Sequence, residues 1–287
     1  MNAGFLAVDK PSGVTSHDVV DALRRVTGIR KAGHTGTLDP MATGVVVVAL
    51  GGVTRLIRFL ADQDKEYVAT AVFGIATDTL DADGEEVDRR PMTVSEAELE
   101  AVRAQFIGEI QQVPPMVSAL KTGGERLYDL ARRGIEVERE ARPVTIYELE
   151  FLEVKDGTYP EVTFRVVCGK GTYVRSLADD IAGALGGFAH LSALRRTRNG
   201  ALTIDDAVGW DDLQSWQSRL VEPADALAFL PTIVADADTA RLVGNGRPIP
   251  VSSTADGLVA VHDPAGTLLA VYRASSGLGR PEVVVAR

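Results

Sequence analysis

The segment Gly33-His34-Thr35-Gly36-Thr37-Leu38-Asp39-Pro40-Met41-Ala42-Thr43-Gly44 runs directly into the apolar run Val45 to Leu50. A short apolar run bounded by glycine reads as a buried strand, so a sheet interior has to receive it. The loop before it lifts one carboxylate, Asp39, five residues after His34. Pro40 restricts its own backbone and that of Asp39. Asp-Pro is in the first place a turn signal. Asp39 therefore carries two readings, a turn residue or a side chain held still for chemistry on a loop that a rigid strand supports.

The length of 287 residues allows one large domain and a small one. An apolar fraction of 45% with 24% charged residues is ordinary for a soluble globular chain. A single cysteine, Cys168, leaves no internal disulfide and no cysteine-based zinc cluster. The histidines at 17, 34, 190 and 262 have no metal-ligand spacing, so neither metal nor cofactor is expected. Gly4 to Val8 is too short for the apolar part of a signal peptide, and Asp9-Lys10 interrupts it. No apolar run approaches the length of about 18 residues that a membrane span needs. A reduced, cytoplasmic enzyme is the expectation.

A net charge of −10 looks wrong for a nucleic-acid partner, but the charge is unevenly spread. Residues 78–100 hold nine acids and two bases, and residues 205–238 hold eight acids and one base. The rest of the chain is net +4, with clusters at Arg24, Arg25, Arg30 and Lys31, at Arg132 and Arg133, and at Arg195, Arg196 and Arg198. Local patches, not the total, decide phosphate binding. The acidic total does not exclude RNA.

Phe5 to Val8 reads as a first strand. Ser16 is expected to cap a helix with Val19, Leu23 and Val26 on one face and Gly28 near its end. Tyr67 to Phe73 alternates like a half-buried strand. Asp81-Ala82-Asp83-Gly84 is a polar turn, and Thr93 with Glu96 has the capping-box pattern before Leu99, Val102 and Phe106. Residues 114–143 are charged and read as an exposed insertion with a short helix, Arg126 to Arg133, stopped by Gly134. Val162 to Cys168 is another strand, followed by a helix marked by Val174, Leu177, Ile181 and Leu185. Strands scattered among helices without a strict βαβ rhythm predict an α+β fold on a mixed sheet. A composition shift near 223–231 precedes a β-rich stretch, which sets expected domains at 1–232 and 233–287.

Several side chains have both a bland and a chemical reading. Tyr67 at a strand start is ordinary packing or a ring on which an unstacked base can lie. Arg175 opens a helix, where a cation opposes the macrodipole and calls for a partner, most simply a carboxylate. Gly169-Lys170-Gly171-Thr172 lacks the spacing of a phosphate loop. His34 is structural or leaves room for a ligand among its small neighbours. His190 and Leu194-Arg195-Arg196 by themselves say only basic surface.

The order of these motifs is more specific than any one of them. Gly33 to Gly44 closely resembles the catalytic motif of the TruB family, the tRNA pseudouridine-55 synthases. Lys10-Pro11-Ser12-Gly13 is similar to that family's N-terminal motif, Lys65-Glu66-Tyr67 to its tyrosine motif, and Asp78 with Asp81 to Gly84 to its acidic turn. Ser118-Ala119-Leu120-Lys121, Leu127-Tyr128 and Ala131 to Gly134 resemble its RNA-gripping insertion. Lys170 to Leu177 resembles its arginine motif, and Ala189 to Arg196 its leucine-bearing segment. The resemblance covers roughly residues 4–235. Beyond that, Asn245-Gly246 and the strand pattern suggest the family's PUA-like module.

The resemblance implies a mainly antiparallel central sheet flanked by helices. It implies isomerisation of uridine 55 in the tRNA T-loop after the base is flipped out, without cofactor, metal or membrane, by a monomer. Asp39 is then the nucleophile, Arg175 its guanidinium partner, and Tyr67 the stacking ring that helps remove the C5 proton. His34 fills the vacated position, Asp81 receives a displaced base, and Leu194 walls the pocket. Lys10, Lys121, Arg132, Arg133, Arg195 and Arg196 hold the RNA. The rival readings are a non-catalytic RNA-binding or tRNA-folding protein, a guide-RNA-dependent pseudouridine synthase, and a nucleotide-phosphate enzyme that the missing P-loop spacing disfavours.

Overall fold

The computed structural model describes residues 3–118, 120–135, 137–252 and 256–285. The chain forms two compact units. One gathers the N-terminal stretch up to Asp39, Val45–Asp62 and the chain from Gly200 onward; the other holds Pro40–Gly44 and Gln63–Asn199.

In the first unit, strand β1 (Gly4–Lys10) is buried almost throughout and leads to helix α1 (Ser16–Thr27). The cap of α1 is Thr15, one residue earlier than expected. Its hydroxyl accepts from Asp18 N, and the Asp18 carboxylate accepts from Thr15 N in return. This capping box frees the Ser16 hydroxyl for another task. Gly28 closes the helix at φ 72, the left-handed conformation that glycine adopts without steric cost. Strand β2 (Ala32–His34) pairs antiparallel with strand β3 (Thr43–Leu50) from Ala32↔Leu50 to His34↔Val48. The run Val45 to Leu50 is buried, as its composition predicts. A 3-10 turn then passes into helix α2 (Ile57–Ala61).

The second unit opens with strand β4 (Lys65–Phe73), whose odd-numbered residues are buried and whose even-numbered residues are half-buried. Strands β5 (Ile75–Thr77) and β6 (Glu86–Arg89) flank the acidic turn. Helix α3 (Glu96–Arg103) is capped by Ser95 with Glu98 rather than by Thr93 with Glu96. Both pairs fit the motif, and the pair nearer the buried Leu99 and Val102 starts the helix. Strand β7 (Gly108–Gln112), the small hairpin of β8 (Lys121–Thr122) and β9 (Glu125–Arg126), and helix α4 (Leu127–Arg132) follow. Then come strands β10 (Arg142–Lys155) and β11 (Glu161–Cys168), helix α5 (Val174–Ala184) and strand β12 (Ala189–Asn199).

The strands of this unit run antiparallel in the order β12-β4-β11-β10-β7. The first two residues of β3, Thr43 and Gly44, lie parallel to Arg195 and Arg196 of β12. The sheet is therefore mixed and mainly antiparallel, and the fold is α+β, as expected.

The remainder of the first unit brings Val208–Gly209 parallel to β1. It ends in a five-stranded sheet ordered Thr232–Val234, Gly257–His262, Leu268–Ser275, Leu278–Val284, Ile249–Pro250. Phe5 of β1 and Val45 and Val47 of β3 share one core with Leu227, Val271 and Val283. A sheet of this size buries little apolar surface alone, and here part of its core is completed by the N-terminal strands.

Candidate active site

Arg175 is the second residue of α5, at the positive end of the helix, and only 2% of it is exposed. Its Nη1 lies 3.0 Å from Asp81 Oδ2 and donates to Thr79 O at 2.7 Å; Nη2 donates to Val117 O at 2.8 Å. A buried guanidinium at a helix N-terminus is tolerable only with a carboxylate beside it, and Asp81 is that carboxylate. The other oxygen of Asp81 accepts from Thr79 Oγ1 at 2.6 Å and from Asp83 N at 3.1 Å. The expectation that Asp81 receives a displaced base gives way to a different placement. Both of its oxygens are occupied within the protein, and it holds Arg175.

The turn that presents Asp81 is constrained at both ends. Leu80 sits at φ 60, which costs a leucine about 1–2 kcal/mol. A Cβ on Gly84 would collide with Thr79 Oγ1 and Asp78 Oδ1, so any larger residue there would force those side chains to move. Leu191 N donates to Leu80 O at 3.0 Å and ties the turn to β12. Gln112 Oε1 accepts from Tyr173 N at 2.8 Å and holds the start of α5; nothing in the sequence around Gln112 signals this.

Tyr67 is buried on β4 in register with Val166 of β11 and Arg196 of β12. Leu194 is in register with Ala69, two residues further along the same face, so the proposed ring and the proposed wall residue share one side of the sheet. Arg195 is half-buried and donates to Thr43 Oγ1 at 3.3 Å. Arg196 was expected at an RNA-holding surface, but it is 1% exposed. It falls on the Tyr67 face because the strand alternates, and Arg195 takes the other face. A Cβ on Gly44 would collide with the Arg196 carbonyl oxygen, which explains a glycine at φ 99 there. His190 Nδ1 lies 2.9 Å from Ile75 O, a structural role.

In the first unit, Asp39 is half-buried at the end of a pinned loop. Thr35 N donates to Val47 O at 3.0 Å. Leu38 N donates to Ser16 Oγ at 2.8 Å, and Ser16 Oγ lies 3.3 Å from Leu38 O. The start of α1 therefore fixes the residue that precedes Asp39. His34, at the end of β2, is half-buried. Lys10 was expected to grip RNA, but it is completely buried, and its Nζ donates to Pro11 O at 2.8 Å and Val14 O at 2.6 Å. Its ammonium shapes the Lys-Pro-Ser-Gly turn.

In the insertion, Arg133 is exposed and paired with Glu125. Lys121 lies in β8 and Arg132 at the end of α4, and their side chains are outside the described residues. A cavity of about 260 Å³ lined by Leu80, Met116, Arg139, Ser176 and Asp180 opens beside the Arg175 turn. Burial, with Asp179 beside it, pushes the Asp180 carboxyl up to about 6. Among the described residues no group of three or more His, Cys, Asp or Glu could hold a metal. Among them also, no helix is long and apolar enough to cross a membrane.

Comparison with known proteins matches these elements to one family along almost the whole chain. Residues 24–174 match the model of the TruB family pseudouridylate synthase (N terminal domain). Residues 175–240 match the tRNA pseudouridylate synthase B C-terminal domain, and residues 230–286 the tRNA Pseudouridine synthase II, C terminal. The tRNA pseudouridine synthase B of Burkholderia pseudomallei (strain 668) is 44% identical over 294 residues, covering 98% of this chain and 96% of its own. That of Saccharophagus degradans is 48% identical over 240 residues, covering 82% of this chain and 76% of its own. Among solved structures, a chain of a Cbf5-Nop10-Gar1 complex superposes with a TM-score of 0.77 at 30% identity, covering 99% of this chain and 85% of that one. With the acidic turn, the arginine helix and the Asp39 loop all inside the matched regions, the chain belongs to the TruB family of pseudouridine synthases.

Proposed function

We propose that this protein is a stand-alone tRNA pseudouridine synthase that isomerises uridine 55 of the T-loop. The reading is carried by similarity, over most of the chain, to proteins named tRNA pseudouridine synthase B at 44–48% identity. The similarity to a chain of a Cbf5-Nop10-Gar1 complex, at 30%, is lower, which favours the tRNA enzyme over a guide-RNA-dependent one.

The reaction breaks the N1–C1′ bond, turns the uracil and joins C5 to C1′, with no net redox change. Asp39 is the nucleophile, attacking a carbon of the sugar or the base. Its half-buried position on a loop fixed at Thr35 and Leu38 suits a side chain that must be both accessible and still. Arg175, oriented by Asp81, is the cation of the centre. Tyr67 stacks on the target base and takes the C5 proton, with Leu194 as a wall. Extruding the uridine costs a few kcal/mol, and His34 offsets this by stacking in the vacated position. Arg195, Arg133, Lys121 and Arg132 hold phosphates and position the arm without reading sequence.

The test uses a T-arm stem-loop tritiated at uracil C5. Purified protein should release tritium without cofactor or guide RNA, and Asp39→Asn should abolish release while binding the stem-loop within a few fold. Substantial release by Asp39→Asn would remove Asp39 from the chemistry; none by the unaltered protein would remove the assigned reaction.

A further inference from the structure

Helix α5 begins without a cap of its own. The N–H groups of a first turn have no partner inside the helix, so side chains usually serve them. Here Tyr173 stands at the cap position and makes no side-chain bond to the turn, and the first turn holds no acid. The helix start is tied instead to residues 112–118, the leg of chain that leaves β7 for the insertion. Tyr173 N donates to Gln112 Oε1 at 2.8 Å, Ser176 Oγ to Val113 O at 3.0 Å, and Arg175 Nη2 to Val117 O at 2.8 Å. Three of the first four residues from the cap therefore bond to one seven-residue leg.

That leg is itself held on several sides. Gln112 ends β7 and is in register with Arg142 of β10. Pro114 and Pro115 are buried, and each fixes its own φ. Arg139, on the returning leg of the insertion, donates from Nη1 to Pro114 O at 3.2 Å. At the far end, Tyr128 N of α4 donates to Ser118 O at 3.1 Å. A stiff leg bonded at three points to one helical turn fixes both the position and the rotation of that turn.

Gln112 is the unusual member of this arrangement. It is 2% exposed, and its Nε2 finds no hydrogen-bond partner among the described residues. The assignment of its amide follows from the donor, because Tyr173 N–H needs an oxygen. A buried amide satisfied at one end only is destabilising, so packing alone would favour an apolar side chain of the same size. What Gln112 supplies in return is the acceptor at the start of α5, two residues before Arg175.

We propose that Gln112 and Ser176 are positioning residues for Arg175, and that the root of the insertion sets where its guanidinium stands. This rests on the role given to Arg175 above. Asp81 acts on the tip of the Arg175 side chain, whereas Gln112 and Ser176 act on the turn from which that side chain springs. A cation that must meet developing charge loses rate when its base shifts, while RNA gripped by other residues stays bound.

Single-turnover tritium release, stem-loop affinity and melting temperature are measured for the unaltered protein, Gln112→Met, Gln112→Glu, Ser176→Ala, Ser95→Ala and Arg175→Lys, with rates taken well below the lowest melting temperature. Gln112→Met keeps the volume and removes the acceptor. It should slow release about 10- to 100-fold with affinity within a few fold. Gln112→Glu keeps an oxygen for Tyr173 N and should recover most of that loss. Ser176→Ala should slow release about tenfold, again at nearly constant affinity. Ser95→Ala takes the cap from α3 and should melt lower without slowing release, which separates lost stability from lost position.

Unslowed release by Gln112→Met, no recovery in Gln112→Glu, or a fall in affinity that parallels the fall in rate would overturn the proposal. A Ser95→Ala protein as slow as Gln112→Met would do the same. If Gln112→Met does not fold, Ser176→Ala decides: slow release at nearly constant affinity supports the positioning, and release as fast as that of the unaltered protein overturns it. An Arg175→Lys protein as fast as the unaltered one would overturn the role of Arg175 itself. One that is slow, beside a Gln112→Met protein that is not, would overturn only the positioning.

Discussion

Asp81 Oδ2 meets Arg175 Nη1 at 3.0 Å with the two side chains 7% and 2% exposed. The pair joins the acidic turn after β5 to the first turn of α5. Each partner solves the other's problem. The turn carboxylate neutralises a cation on the wrong end of a helix, and the guanidinium neutralises a carboxylate that water does not reach.

Removing one member should therefore be worse than its contact energy suggests. Asp81→Ala takes the buried Asp81 carboxylate away from Arg175, with an expected loss of about 3–5 kcal/mol. Asp81→Asn keeps an oxygen for Thr79 and should lose less. Both should depress single-turnover release far more than stem-loop affinity. Thermal melting and tritium release check this, and an Asp81→Ala protein with unchanged melting point and rate would contradict the account.

Ser16 acts on the Asp39 loop from a distance in sequence. Its hydroxyl accepts from Leu38 N at 2.8 Å, and both residues are buried. Ser16→Ala leaves that N–H without its partner, at a cost of about 1–3 kcal/mol. Loosening the residue before Asp39 should also slow release about 10- to 100-fold, since small misplacements of a reacting group cost that much. Thr15→Ala is the control: it removes the true helix cap and should lower stability by about 1 kcal/mol with little effect on rate.

Glu66 supplies a pH-dependent part of the stability of the second unit. Burial pushes its carboxyl up, but the hydrogen bonds from Thr197 and Arg165 outweigh this and hold it below the ordinary 4.5. A depressed folded value means that the stabilisation is present above about 4.5 and is lost as pH falls through the folded value. Glu66→Gln should cost about 1–2 kcal/mol at pH 7. Below about pH 4 its melting temperature should approach that of the unaltered protein. A constant difference between pH 7 and pH 3.5 would show that the carboxylate charge is not the stabilising element.

Much of this protein is legible along the chain because local patterns act over a few residues. The buried run Val45 to Leu50, the alternation of Tyr67 to Phe73, the helix after Tyr173 and the glycine stop at Gly28 all follow from periodicity and backbone chemistry. The order of the Asp39, Tyr67 and Arg175 motifs carried the family. Where two patterns compete at neighbouring residues, as at Thr15 and Ser16 or Thr93 and Ser95, sequence cannot choose, because both satisfy the same capping rule.

What tertiary structure alone decided is which side of a strand a residue faces and what it meets there. Arg195 and Arg196 are the same amino acid one position apart, yet the register of β12 on β4 half-buries one and buries the other against the row of Tyr67. Lys10, read as an RNA contact, spends its ammonium on two carbonyls four residues or fewer away. Asp81 finds Arg175 across more than ninety residues of chain because the tight turn through a left-handed Leu80 and a crowded Gly84 points it inward. Residue type and spacing record what a side chain can do; burial and partner, which depend on long-range pairing, determine what it does.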